Sequence, residues 1–350
     1  MVFDHPEFQN HQKVVFCSDS ESGLRAIIAI HSTVCGPALG GCRMWPYESE
    51  DAALEDVLRL SRGMSYKNAM TGLSLGGGKA VIIGDAKTQK TKPLLRAFGR
   101  AVNALGGIYY TAEDVGMSSQ DMDTIATQTR YVVGRKSGLA ASGDLSLFTA
   151  IGVFAGIKEA ARYRLGSSDL NGKTVAVQGL GHVGWKLCEH LHEAGASLIV
   201  SDIDKKKTEK AVQKFNATAV DPDKIVFAEA DVLAPCALGA VFNSENVKNL
   251  KTKVIAGSAN NQLDDAKVGD MLTSLGILYA PDYVINAGGV INVSGEMHGD
   301  YDAEQSKQRC EAIADTLRDV FVAAEKWKIA PSAAADKIAE SRLQARCKDE

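Results

Sequence analysis

The sequence predicts a two-domain α/β protein: an N-terminal α/β domain carrying the chemistry, then a doubly wound parallel-sheet domain, with a cleft between them. Three observations support this. At 350 residues the chain is longer than a single hydrophobic core ordinarily fills. Short apolar runs alternate with helical patterns throughout. In the second half, a strand, a glycine cluster, a helix and another strand follow in fixed register.

The composition is that of a globular chain, 45% hydrophobic and 23% charged. The net charge of −4 has no basic block behind it, so nucleic acid is not an expected partner. Residues 1–12 are polar and acidic without a leader's apolar segment, and no run of about 18 apolar residues occurs to span a membrane. The 7 cysteines are scattered and never spaced C-x-x-C, which fits reduced thiols and a cytoplasmic location.

Residues 14–17 and 24–31 read as strands around Ser20-Glu-Ser-Gly23, a turn sequence, and so as a hairpin. Gly36-Pro-Ala-Leu39-Gly40-Gly41-Cys-Arg-Met44 reads as irregular; its glycine pair either lets backbone face a ligand or bends a strand. Ser49 then caps a helix with acids in its first turn and Leu54, Val57 and Leu58 at helical spacing, ending at Gly72. Continued at 3.6 residues per turn, this helix puts Leu60, Met64 and Lys67 along one line, in line with the buried stripe. Lys67 there either grips an anion or snorkels to water.

Leu73-Ser-Leu-Gly76-Gly77-Gly78-Lys79 leads into the apolar run Ala80-Val-Ile-Ile83, so three glycines deliver one lysine to a buried strand. Burial favours the neutral amine, which makes Lys79 the expected general base. A phosphate-cradling loop fits poorly, because Leu73 stands where its first glycine belongs and Ala80 follows the lysine; a purely structural turn remains the other reading. After a helix over 92–105 and a strand over 108–111 come Glu113 and Asp114, acids at a strand's carboxyl end, where sites lie in open α/β sheets.

Residues 134–146 are small and aperiodic and read as a hinge, dividing the chain into a substrate and oligomerisation domain over 1–134 and a nucleotide domain over 135–330. A closing helix over 331–350 is expected to pack back on the first domain. Strand 174–178 runs into Gly179-Leu180-Gly181-His182-Val183-Gly184, a helix follows, and the next strand ends at Asp202. That is a dinucleotide-binding register: pyrophosphate on the helix N-terminus, Asp202 on the ribose hydroxyls. A carboxylate there repels a 2′-phosphate, so NAD is expected over NADP, with Lys205-Lys-Lys207 the feature that points the other way.

Further strand ends follow at Cys236-Ala237, at Ala256-Gly-Ser258-Ala-Asn260-Asn261 and near Pro281. Cys236, Ala237, Ala256, Ser258 and Asn260 are assigned to the cofactor and Asn261 to the substrate, although asparagines at turns often only cap backbone. Residues 285–293, containing Gly288, Gly289, Val290 and Val293, form another glycine-punctuated apolar stretch where a ligand or another backbone comes close. Cys188, His190 and His192 do not reproduce metal-binding spacing, and no metal is expected.

These motifs carry a resemblance. Gly36-Pro-Ala-Leu-Gly-Gly41, Arg62-Gly-Met-Ser-Tyr-Lys67, residues 73–85, Thr111-Ala-Glu-Asp114-Val-Gly, Ala176-Val-Gln-Gly-Leu-Gly181, Ala234-Pro-Cys-Ala-Leu-Gly239, Ala259-Asn-Asn261 and residues 280–289 occur in one order over nearly the whole chain. The chain resembles the glutamate/leucine/phenylalanine/valine dehydrogenase family, and within it the bacterial leucine-oxidising members. The resemblance implies NAD-dependent, reversible oxidative deamination of an L-amino acid to a 2-oxo acid and ammonium. It implies that Lys67 holds the substrate α-carboxylate, Lys79 activates the attacking water and Asp114 relays protons at the amine. Hydride leaves Cα to give an iminium, water adds, and the carbinolamine expels ammonia, in a cleft whose closure excludes bulk water.

Family members acting on glutamate place a lysine near Leu39 and a serine near Val293. Here both positions are apolar, so a substrate carboxylate against Leu39, Met64, Val290 and Val293 would lose several kcal/mol. Leucine, isoleucine or valine is therefore expected, with phenylalanine or tryptophan second, since an apolar pocket separates such substrates by only about 1–3 kcal/mol per methylene. Leu145 and Leu147 stand where relatives usually carry prolines, which implies a looser hinge or a reshaped pocket. The resemblance also implies a homo-oligomer, a dimer or an octamer, the octamer being in question because the C-terminus is shorter than in many relatives. A non-catalytic dinucleotide-binding protein would have no need of Lys67, Lys79 and Asp114 together, and a hydroxy-acid dehydrogenase would want a histidine–acid pair that this chain lacks.

Overall fold

The computed structural model describes residues 2–137, 142–237, 239, 241–299 and 301–346. The chain forms two compact units, one of Met1–Gly143, Val293–Ala303 and Ala339–Glu350, the other of Asp144–Asn292 and Glu304–Ile338.

The first unit contains β1 (Lys13–Asp19), β2 (Leu24–Ser32), β3 (Ala38–Trp45), α1 (Glu50–Thr71), β4 (Gly76–Ile83), α2 (Lys92–Ala104), β5 (Tyr109–Glu113) and α3 (Ser119–Ala126). Its sheet runs β1-β2-β4-β3-β5, with β1, β2 and β4 antiparallel neighbours and β3 parallel to both β4 and β5. The expected hairpin is β1–β2. Residues 38–45, expected to be irregular, are instead the strand between β4 and β5. The glycines explain why pairing survives, because a Cβ on Gly40 would stand 1.7 Å from the Gly78 carbonyl oxygen.

Helix α1 begins where Ser49 accepts a hydrogen bond from the Ala52 amide and ends at Gly72 in the left-handed region. Ala53, Leu54, Val57 and Leu58 pack against Ile27, Ala29 and Val81 on one sheet face; α2 and α3 cover the other through Leu94, Phe98, Met122 and Ile125. Toward its end the buried stripe of α1 turns small and polar, at Ser61, Ser65 and Asn68. Gly77 is the reason, since a Cβ there would lie 2.0 Å from the Ser65 backbone nitrogen. The line of Leu60, Met64 and Lys67 is a half-buried flank rather than part of the stripe. Late in the chain, Arg342 donates to the Ala69 and Met70 carbonyls at 3.1 Å, tying the last helix to the end of α1.

The second unit contains α4 (Leu145–Leu165), β6 (Thr174–Gln178), α5 (His182–Glu193), β7 (Ser197–Ser201), α6 (Lys205–Phe215), β8 (Thr218–Ala219), β9 (Ala230–Pro235), β10 (Thr252–Ile255), α7 (Ala266–Ser274), β11 (Leu278–Tyr279) and α8 (Asp282–Ile285). The helices α9 (Gly288–Ser294), α10 (Ala303–Glu311), α11 (Ile313–Trp327) and α12 (Pro331–Arg346) follow, and the chain changes unit within α9 and within α12. The strand order is β11-β10-β9-β6-β7-β8, every pair parallel. The order reverses between β6 and β9, and the crevice at their carboxyl ends is where such sheets bind ligands.

Residues 138–141 of the expected hinge lie outside the described residues. Asp144 caps α4 by accepting from the Ser146 amide, which places Leu145 and Leu147 in the first turn. First-turn amides need no intrahelical acceptor, which is why proline is tolerated at such positions; here the Leu147 amide donates to the Asp144 carbonyl at 3.1 Å. Leu147 is 40% exposed, so its bulk adds to the surface. The stretch over 285–293 is largely helical, and its close approach is to another backbone: a Cβ on Gly288 would lie 2.2 Å from the Phe148 carbonyl oxygen of α4.

Candidate active site

In the first unit, Lys79 and Asp114 come from the two sides of β3. Leu39 faces Gly77 and Cys42 faces Ala80, so Gly41 stands beside Lys79; on the other side Gly41 faces Ala112. A Cβ on Gly41 would lie 2.9 Å from the Asp114 Cβ and 2.7 Å from the Glu113 carbonyl oxygen. Glycine thus leaves open the space that the two side chains use, and the Lys79 ammonium reaches Asp114 Oδ2 as an ion pair. Lys79 is only 7% exposed. Burial was expected to favour its neutral form, but the structure sets a carboxylate against it.

Asp114 is also shaped from other sides. Its Oδ1 accepts a 2.7 Å hydrogen bond from the Val115 amide. Burial pushes the Asp114 carboxyl up, but Lys79, Arg43 and the Val115 amide outweigh it and hold it at about 2. Arg43 was not foreseen as part of this site. It reaches Oδ2 at 3.6 Å from Nη2, while its Nη1 donates to Asp56 of α1 at 2.9 Å.

Lys67 and Met64 lie one turn apart on α1, both half-buried. Met64 Cγ is 3.3 Å from where a Gly40 Cβ would stand, so this flank of α1 overlies the glycine pair. Asn68, fully buried, donates from Nδ2 to the Gly76 and Leu39 carbonyls and holds α1 to β3 and β4. Tyr109 donates to the Gly40 carbonyl at 2.8 Å. Leu39 and Val293 are buried and apolar within this unit.

In the second unit, Gly179 to Gly184 link β6 to α5, and the glycines have separate reasons. Gly179 is left-handed, and a Cβ on Gly184 would strike the Gly179 carbonyl oxygen at 2.0 Å. Around Gly181 a Cβ would meet nothing within 4 Å, and no side chain caps the start of α5. Such a helix start suits a pyrophosphate. Asp202 accepts from the Leu180 amide at 2.7 Å and from the Asp204 amide at 2.8 Å, locking the β7 end to the glycine loop. Lys207 stands 3.8 Å from the same carboxylate. His182 is exposed and Val183 half-buried in the first turn of α5. These residues fit a dinucleotide.

Cys236 and Ala237 follow β9 and flank the loop: the Cys236 Cβ would be 3.2 Å from a Gly184 Cβ, and the Ala237 Cβ 2.9 Å from one on Gly179. Ala256 is buried at the end of β10 and Ser258 is half-buried beyond it. Asn260 and Asn261 are exposed; Asn260 accepts from Asn286 at 2.7 Å, and Asn261 is left-handed. Val290 is half-buried on α9. Ile203, immediately after Asp202, is 92% exposed, and the sequence reading does not single it out. Its signal was an isoleucine in an otherwise charged loop.

Residues 11–131 match the family described as Glu/Leu/Phe/Val dehydrogenase, dimerisation domain, and residues 144–348 match Glutamate/Leucine/Phenylalanine/Valine dehydrogenase. The chain is 52% identical to leucine dehydrogenase of Bacillus subtilis over 98% of this chain and 94% of that one. It is 48% identical to valine dehydrogenase of Streptomyces virginiae, over 97% and 95% respectively. The crystal structure of L-tryptophan dehydrogenase from Nostoc punctiforme superposes with a TM-score of 0.86 at 45% identity, covering 99% of both chains. Paired lysine and aspartate around a β3 glycine, a glycine loop closed by Asp202, and likeness along nearly the full length converge: this chain belongs to the glutamate/leucine/phenylalanine/valine dehydrogenase family of amino-acid dehydrogenases.

Proposed function

We propose that the protein catalyses the NAD-dependent, reversible oxidative deamination of an apolar L-amino acid, with leucine, isoleucine or valine preferred, working in the cytoplasm as a homo-oligomer. The observation that carries this reading is the buried Lys79–Asp114 pair, which supplies both a base and a proton relay in one place. When bound, NAD+ supplies the hydride acceptor; Gly181, the start of α5 and Asp202 would hold its pyrophosphate and ribose, with Ile203 an apolar platform for the adenine.

Lys67 binds the substrate α-carboxylate. Asp114 Oδ2 accepts the proton that the substrate ammonium loses before oxidation at Cα. Lys79 Nζ, once neutral, takes a proton from the water adding to the iminium carbon. Asp114 returns a proton to the nitrogen, and the carbinolamine hydroxyl gives its proton to the departing ammonia as the C–N bond breaks, so that ammonium leaves and the 2-oxo acid remains. Lys79 releases the proton it took from the water to solvent. The balance is amino acid, NAD+ and water to 2-oxo acid, ammonium, NADH and one proton.

The apolar character of Leu39, Met64 and Val293 supports an aliphatic side chain over a carboxylate. NADH formation with a panel of L-amino acids at alkaline pH tests the proposal. Lys79→Ala should lower kcat by roughly 10²–10⁴-fold, and Lys67→Ala should chiefly raise KM for the amino acid. Turnover of 2-hydroxy acids, or of no apolar amino acid, would refute it.

A further inference from the structure

Asp114 faces two cations, and only one of them can change its charge. Lys79 meets Oδ2, and Arg43 Nη2 stands 3.6 Å from the same oxygen. An ammonium can lose its proton inside a protein, whereas a guanidinium does not. At 3.6 Å, Arg43 is beyond good hydrogen-bonding distance, so it acts on Asp114 through its field and leaves Oδ2 able to take a proton.

Arg43 is held from behind. It is two residues past Gly41 on β3 and so on the same sheet face. Its Nη1 donates to Asp56 Oδ2 at 2.9 Å, Tyr47 donates to that oxygen at 2.6 Å, and Arg59 approaches Asp56 Oδ1 at 3.5 Å. The Arg43 and Asp56 side chains are 24% and 13% exposed, so their charges are only partly screened. The other titratable groups facing Asp114 are Cys42 on β3 and Tyr109 on β5, whose ionisation burial pushes upward, so both stay neutral at working pH. Asp121 lies farther out and is paired with Lys90 at 2.7 Å.

We infer that Arg43, anchored by Asp56, is a positioning residue for catalysis: a permanent counter-charge that keeps Asp114 anionic while Lys79 is neutral. The inference rests on the roles proposed above for Lys79 and Asp114. When Lys79 gives up its proton, Asp114 loses its nearest cation, and a buried carboxylate without one takes up a proton. It would then have no capacity for the proton of the substrate ammonium. Arg43 prevents this without exchanging a proton; protons pass only among the substrate nitrogen, Asp114 Oδ2, Lys79 Nζ and water.

The test is the pH dependence of kcat/KM for L-leucine with saturating NAD+, in wild type, Arg43→Gln, Arg43→Lys, Asp56→Asn and Asp114→Asn. Arg43→Gln should move the acid limb upward by about one pH unit and lower kcat more than it changes KM, with Arg43→Lys restoring much of the limb's position. Asp56→Asn keeps an oxygen for Arg43 but removes the competing charge, so its limb should move downward. If Arg43→Gln does not fold, the direction of the Asp56→Asn shift decides. Limbs that stay in place while Asp114→Asn is inactive would overturn the role of Arg43 alone. Wild-type activity in Asp114→Asn would overturn the relay reading on which it rests.

Discussion

Lys79 and Asp114 meet across a strand to which neither belongs, and they do so where Gly41 of β3 offers no side chain. The pair therefore depends on a residue with no functional group. Gly41→Ala would place a methyl 2.9 Å from the Asp114 Cβ and 2.7 Å from a backbone oxygen, so one side of the pair must move. A displacement near 1 Å at reacting groups lowers rate by about 10²-fold. Steady-state kcat for Gly41→Ala, compared with its melting temperature, checks this: kcat of the folded variant should fall by about that factor at temperatures well below its melting point.

Asp202 should set the choice of dinucleotide. Its carboxylate locks the glycine loop through the Leu180 amide, and Lys207 stands 3.8 Å away. Asp202→Ala removes the charge that repels a 2′-phosphate and frees Lys207 to attract one. The ratio of kcat/KM for NAD+ over NADP+ should drop by at least about tenfold, equivalent to about 1.4 kcal/mol. An unchanged ratio would show that the acid does not face the ribose.

Asn68 should matter for stability. Its amide satisfies the Gly76 and Leu39 carbonyls in a fully buried position. Asn68→Ala leaves both without that donor and opens a small void, which should destabilise the first unit by about 1–3 kcal/mol. Denaturant unfolding measures it directly.

The protein should lose stability in acid in a way that traces to two histidines. His31 is bonded to Ser65 at 2.8 Å, and its ring lies 4.9 Å from that of His11. Burial, with His11 and Arg62 nearby, lowers His31 from 6.5 to about 4, and burial lowers His11 as well. The folded state thus favours the neutral rings. Their contribution is complete above about pH 6.5 and is lost as pH falls from 6.5 toward 4. Asp114 adds a second loss lower down, between 3.8 and about 2, because its folded value is depressed and protonation breaks its pairs. Unfolding free energy against pH should fall through the first window in wild type and fall less steeply in His31→Gln.

What was legible in the sequence was what neighbours along the chain decide. The glycine loop at 179–184 and Asp202 lie within one β-α-β unit, so spacing alone located them. Lys79 was visible because glycines and an apolar run bracket it. Arg43 was not, because its partners Asp56 and Asp114 lie on a helix and a strand end that meet only in the folded sheet. The strand over 38–45 was obscured for a related reason: its glycines weaken strand propensity, and pairing on both sides overrides that. Asn68 looked like any helix polar residue until the β3 and β4 carbonyls beneath it were seen.

The contact of α1 with β4 at Gly77, where helix backbone rests almost directly on strand, works as a fixed gauge. It sets how far Lys67 stands from Lys79, and so, in the roles proposed for these lysines, the interval between the grip on the substrate's acid end and the base. Side chains around the rest of the substrate can diverge without disturbing that interval. A side chain at position 77 would change that interval, because its Cβ would lie 2.0 Å from the Ser65 backbone nitrogen and would force α1 and β4 apart.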